Sequence, residues 1–271
     1  MKKILQCFLL CFAVATLPVL GTEGTVGEVG PVFGPEVPQA VQREIAQYGF
    51  RIINKTYSSF FSLYDANYHA GIPQFITTDC VLYLSHVAVS ASIRALELGY
   101  MSPTLHGFLR RFWALGKQAH EQEIPDNQKA AWKAILARIY VACKLLGDDL
   151  PLPAILEDQA HQIGEELRLI RDAQGPDTSP LLGYPVDYVQ FKPRGHYTIS
   201  EEFTRYFQAV KWLSLPFRLL DHDEALQAIL LTRALIADEE LRAQWSSLDA
   251  LVSFIAGPPD DLDFSSLGPL V

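Results

Sequence analysis

Asp79 and His86 stand seven residues apart in a long apolar run, so on a helix they share roughly one face. A carboxylate and an imidazole so placed make either a proton-transfer pair or two ligands of a metal. The structural alternative needs neither chemistry. Asp79 is then an acid in a helix's first turn, favoured by the dipole, and His86 a buried histidine bonded to a carbonyl. No third ligand is spaced to support the pair, so the structural alternative is preferred. A second set is Arg194, Gly195, His196 and Tyr197, in a basic turn just before a helix start. Free N–H groups at a helix N-terminus attract anions, and an arginine there adds a bidentate contact. His196 is the histidine most suited to chemistry. The alternative is that Gly195 supplies a tight turn and Glu201 already satisfies the helix cap. Adjacent glutamates (Glu165 and Glu166, Glu201 and Glu202, Glu239 and Glu240) point in different directions on a helix and read as solvated edges. The chain contains no GxSxG, HExxH, phosphate-loop or dinucleotide pattern. No catalytic set, no metal site and no cofactor is expected, and an enzyme is the second reading rather than the first.

These residues must be positioned by helices. Residues 78–98 are apolar on nearly every side, the mark of a buried helix, and Gly99 is placed to end it. Ser102 and Pro103 then start another, with Leu105, Phe108, Leu109, Phe112 and Leu115 on one face. A third, beginning near Asp126 and ended by Gly147, carries Trp132, Ile135, Leu136, Ile139, Tyr140 and Cys143. A fourth covers about 153–173. Residues 175–193 break the pattern with prolines and glycines, and Val186 to Phe191 alternates like a strand. Thr198 with Glu201, and Asp221 with Glu224, read as capping boxes. A last helix from about Asp238 is expected to break near Ser246. Ser58 to Leu63 reads as a helical turn with Phe60 and Phe61 turned inward. The expected fold is all-α, an irregular antiparallel multi-helix array resembling an α/α solenoid. At most it includes a short β-hairpin near 186–197.

Lys2 and Lys3, an apolar stretch from Ile4 to Leu20 and a small-residue exit read as a signal peptide cleaved after Gly21. Residues 22–38 form an extended linker, 39–257 the helical domain and 258–271 an irregular tail. The protein is therefore expected to be exported, periplasmic or extracellular, with no transmembrane span after cleavage. Arg94 and Glu97 interrupt the apolar run at 78–98 and argue against its crossing a bilayer. The formal charge of −9 on 271 residues excludes a role resting on nucleic-acid phosphates. Cleavage leaves Cys80 and Cys143. Export permits a disulfide between them, and two buried thiols on separate helices are the alternative.

The runs IPQFITTDCVLYLSH and FKPRGHYTISEEFTRYFQAVKWL resemble the DUF3160 family, exported bacterial proteins of unknown function. Pro73, Phe75, Thr77, Thr78, Asp79, Leu82 and His86 carry the first likeness. Pro193, Gly195, His196, Tyr197, Thr198, Ser200, Glu201, Tyr206, Phe207, Ala209 and Trp212 carry the second. Gly257, Pro259, Asp260, Asp261 and Leu262 look like a further family stretch. Cys80 stands where the family has serine, which weakens any hydroxyl role there. The family's greater length implies a short or truncated member. The resemblance implies export and helices and names no reaction. The expected function is a secreted or periplasmic binding or scaffold protein, a subunit of an envelope or extracellular assembly with protein partners. A hydrolase with a His/Asp cleft, metal-assisted or not, is the first alternative. A carbohydrate- or peptide-binding surface protein is the second.

Overall fold

The computed structural model describes residues 38–49, 52, 54–71, 78–259 and 262–270. The expected signal peptide and all but the last residue of the linker lie outside the described residues, as do Pro73, Phe75, Thr77, Asp260 and Asp261. The chain divides into two compact units, Met1–Ile93 and Arg94–Val271.

In the first unit, α1 (Gln39–Tyr48) ends at Gly49, whose left-handed φ of 75° is tolerated because glycine has no Cβ. Helix α2 (Phe60–His69) begins at Ser59, which exchanges capping bonds with Ser62. Neither helix buries a residue. Phe60 and Phe61 are exposed, not inward as their aromatic character suggested. Helix α3 (Thr78–Leu96) departs from expectation most. Val81, Leu82, Leu84, Val87 and Val89 are all exposed, Leu82 at 63%. An apolar circumference says that a helix favours burial, but it does not supply the cover. Helices α1 and α2 are short and contribute no buried side chain to provide it.

In the second unit the buried helix is α5 (Asp126–Leu146), which follows α4 (Ser102–Glu121). From Ala131 to Leu146 no residue of α5 is exposed. It is sheathed by α4, α7 (Glu201–Leu213) and α8 (His222–Ala237), and α9 (Glu239–Ala256) packs on α4 and α8. The apolar faces expected of α4 and α5 are the ones buried, including Leu109, Phe112, Ile135, Leu136 and Cys143. Gly116 on α4 lets the two helices approach. A methyl group there would meet Leu136 at 3.0 Å and Trp132 at 3.1 Å. Trp212, fully buried on α7, donates its indole N–H to the Arg138 carbonyl at 2.9 Å.

Gly99 does not end the helix. Glu97–Met101 is a π-helical turn that passes into α4, with the Ser102 N–H returning to the Glu97 carbonyl. Pro103 has no N–H to offer the Gly99 carbonyl, and the wider turn absorbs that loss. Ser102 is thus a buried helical residue rather than a cap. A 3₁₀ turn (Ala154–Gln159) leads into α6 (Ala160–Asp172). The hairpin pairs β1 (Pro176–Thr178) with β2 (Pro185–Asp187), Asp177 opposite Val186, and so lies earlier than its expected place. The alternating residues beyond it form a 3₁₀ turn, Tyr188–Phe191, because the Asp187 side chain accepts from the Val189 N–H and caps it. Helix α9 is unbroken at Ser246. The tail forms α10 (Phe264–Leu267), and Phe264 meets Trp245 edge-on at 5.9 Å.

Two buried carboxylates pin non-helical segments. Glu166 on α6, fully buried, accepts from Ser179 Oγ at 2.5 Å, Tyr188 OH at 2.5 Å and Leu181 N–H at 3.2 Å. Glu224 accepts from the Arg218 N–H at 2.8 Å and Nε at 2.6 Å. Asp221 caps α8 as expected, but Glu224 bonds Arg218 instead of closing the box.

Replacing Gly116 by Ala is expected to lower stability by about 1–3 kcal/mol, because the added methyl group presses on the buried Trp132 and Leu136 side chains. Chemical denaturation measures it, and an unchanged midpoint would contradict the close packing. Asp238, the N-cap of α9, also accepts from Arg111 Nε at 3.0 Å and NH2 at 2.6 Å. The Arg111 hydrogen bond, helped by the Leu241 N–H, holds its carboxyl below the usual range. A depressed carboxyl contributes stability that is complete above about pH 4 and is lost as pH falls through the lower folded value. Asp238→Ala should therefore cost about 1 kcal/mol at neutral pH. Thermal unfolding across pH should show that difference shrinking in acid.

Candidate functional site

The π-helical turn carries the side chain around which the site is built. Glu97 is buried, at 6% exposure, in a sequence of apolar neighbours. A carboxylate there needs donors, because its burial without them is costly. The donors come from about a hundred residues on, from the 3₁₀ turn Gly195–Thr198. Tyr197 OH donates to Glu97 Oε1 at 2.6 Å, and His196 Nε2 lies 2.6 Å from Glu97 Oε2. A carboxylate only accepts, so the Nε2–H points at Glu97, and in a neutral ring Nδ1 is then the acceptor.

Local chemistry holds the turn that supplies them. Gly195 adopts a left-handed φ of 56°. Thr198 Oγ1 donates to the Gly195 carbonyl at 2.9 Å, so it closes the turn instead of capping α7. The cap is Ser200, which accepts from the Phe203 N–H. Thr204 on α7 reaches back to the Tyr197 carbonyl at 2.9 Å. The His196 ring lies 4.1 Å from that of Tyr197 and meets Phe203 edge-on at 5.4 Å. Burial pushes the Tyr197 hydroxyl's pKa up, and its bond to Glu97 adds to the shift. Burial does the same to Tyr206, with Glu97's charge second. The π turn is also held from the other side, where Tyr100 OH and Ser247 Oγ on α9 form a hydrogen bond.

Of the residues singled out by sequence, His196 and Tyr197 are therefore brought together, on a partner that motif spacing did not reveal. Their donors face an anion that belongs to the chain itself. Arg194 is exposed beside them. Asp79 and His86 belong to the first unit, and both are exposed, so His86 is not the buried, carbonyl-bonded histidine of the structural alternative. Cys80 and Cys143 are both buried as thiols and belong to different units. Burial, followed by the charge of Asp148, pushes the Cys143 thiol up to about 12, so it stays protonated and inert at neutral pH. The signal for Glu97 was available: a lone glutamate closing an apolar helix is rarely buried unless partnered.

A histidine oriented by a carboxylate and a quarter exposed can take a proton from a neighbouring group. Among the described residues no serine or threonine hydroxyl hydrogen-bonds to His196, and no group of three His, Cys, Asp or Glu side chains could hold a metal. The Glu97, His196 and Tyr197 side chains satisfy one another as a clamp.

A family model described as a protein of unknown function, DUF3160, matches residues 39–271. The chain belongs to that family. No curated protein and no solved structure matches it significantly.

Removing the Glu97 carboxylate strands two donors, so Glu97→Ala should destabilise by about 2–3 kcal/mol. Tyr197→Phe, which removes one donor and leaves the carboxylate its histidine, should cost about 1 kcal/mol. Urea denaturation of each variant measures both. Equal, negligible losses would mean that the clamp contributes nothing.

Proposed function

We propose that this member of the DUF3160 family is an exported helical binding or scaffold protein, a subunit of an envelope or extracellular assembly, which docks through the apolar surface of α3. One observation carries the reading. Val81, Leu82, Leu84, Val87 and Val89 are all exposed, and no Asp, Glu, Lys or Arg lies between Asp79 and Arg94. Uncharged apolar surface of this extent marks an interaction site. The signal-like N-terminus favours a partner outside the cytoplasm.

The helical run Thr78–Glu121 contains an 18-residue window of mean hydropathy 1.3, long and apolar enough by those measures alone to cross a membrane. A protein partner fits better than lipid. His86, Ser85, Ser90 and Ser92 interrupt the surface, and polar groups facing hydrocarbon are expensive. Leu82→Lys with Val89→Lys places two charges on one side of α3 at positions already exposed, so folding should be retained. Crosslinking in the native envelope should join the wild-type protein to one partner in fixed stoichiometry. The double variant should lose that product at least about tenfold. An uncrosslinked monomer in both would contradict the reading, and partition of the wild type into detergent alone would favour lipid.

The His196–Glu97 pair favours a second reading, a hydrolase. It expects turnover of an ester, glycoside or phosphoester that His196→Gln abolishes without changing the fold.

A further inference from the structure

Helix α3 offers its exposed residues on two sides rather than one. Each residue of an α-helix advances about 100° around the axis. Leu82, Ser85, His86 and Val89 therefore share one stripe, and Leu84, Val87 and Ala91 share another. All of them are exposed. Leu84 lies about 200° round from Leu82, and Val89 about 200° round from Val87, so the two stripes look away from each other. Tyr83 falls between them, and its ring lies 6.1 Å from that of Phe60 on α2. Helix α2 thus meets α3 between the stripes and leaves both open.

A stripe about 100° wide is what one neighbouring helix covers. A single helix laid on α3 would leave the second stripe in water. A second copy of this chain fits poorly for the same reason, and for its area. Two copies paired through the first stripe would engage Leu82, Ser85, His86 and Val89 from each, far below the roughly 20–30 residues a side of a stable interface.

We infer that the partner docked on α3 supplies a helical hairpin, two antiparallel helices joined by a short loop, which straddles α3 with one helix on each stripe. The hairpin rests on the reading that α3 is the docking helix, and it names what covers that helix. Charge sets its chemistry. No Asp, Glu, Lys or Arg lies between Asp79 and Arg94, so both contact faces of the hairpin are uncharged. Ser85 and His86 need hydrogen-bond partners once covered, so the helix on the first stripe carries a hydroxyl or amide there. Leu84, Val87 and Ala91 need none, and the helix on the second stripe is apolar where it meets them.

A photoreactive phenylalanine analogue placed singly at Leu82, Val89, Leu84 or Ala91 of the full chain, in its native envelope, maps the cover. All four positions are exposed, so the fold should stand. Mass spectrometry should place the Leu82 and Val89 products about seven residues apart in one segment of the partner, and those of Leu84 and Ala91 about seven apart in a second segment of the same chain. The order of the products should run opposite ways in the two segments. Leu84→Lys with Ala91→Lys should also cut the Leu82 and Val89 crosslinks about tenfold, because the hairpin seats as one body. Unchanged Leu82 and Val89 crosslinks in that variant would overturn the hairpin. So would products that fall in one segment, run the same way in both, or lie on two different chains, on a second copy of this chain or on lipid. Crosslinks at none of the four positions would instead remove docking through α3 itself, and the hairpin with it.

Discussion

No residue of α5 from Ala131 to Leu146 is exposed, and residues 94–271 are arranged to meet that condition. A helix buried all round must be covered on every side, here by α4, α7 and α8. Of its cations Arg138 is the buried one, held by the Leu215 carbonyl and the ring of Phe217. Its backbone anchors Trp212, whose indole N–H would otherwise be a buried orphan. Neighbouring helices must come close to fill the space around small residues, which is why Gly116 faces Trp132 and Leu136.

Non-helical segments cannot be held by such packing alone, and buried carboxylates hold them instead. Glu166 fixes the hairpin turn and the 3₁₀ turn after it. Glu97 fixes the turn at Gly195–Thr198. Each receives at least two donors, which satisfies the acid and orders the loop that supplies them. The π turn brings Glu97 inward at the place where Pro103 interrupts regular α-helical bonding. The exposed edge of His196 is thereby set in one orientation, a feature of a rigid recognition surface as much as of a proton carrier.

Helices with short-range signals were legible in the sequence. The apolar faces of α4 and α5, the stop at Gly147 and the caps at Asp221 and Asp238 all follow local rules and appear in the structure. His196 and Tyr197 stood out because a glycine turn beside basic residues is unusual before a helix. Glu97 did not, because its pairing spans about a hundred residues and no local spacing encodes it. The alternation at Val186 to Phe191 suggested strand, but the Asp187 side chain captured the Val189 N–H and turned the chain. Helix α3 was misjudged for a different reason. Apolar periodicity reports what a helix tends to bury, and here Cys80 and Leu96 are buried while Val81, Leu82, Leu84, Val87 and Val89 are left exposed.

That exposed helix is the centre of the functional account, since Val81, Leu82, Leu84, Val87 and Val89 are exposed on it with no Asp, Glu, Lys or Arg between Asp79 and Arg94. Hydroxyl-radical footprinting of the protein in its native envelope and after purification tests it most directly. Labelling of Leu82, Leu84, Val87 and Val89 should be strong in the purified chain and suppressed in the envelope, while Leu220, exposed on the second unit, labels equally in both. Equal labelling of the α3 side chains in both states would contradict a docking role for this helix.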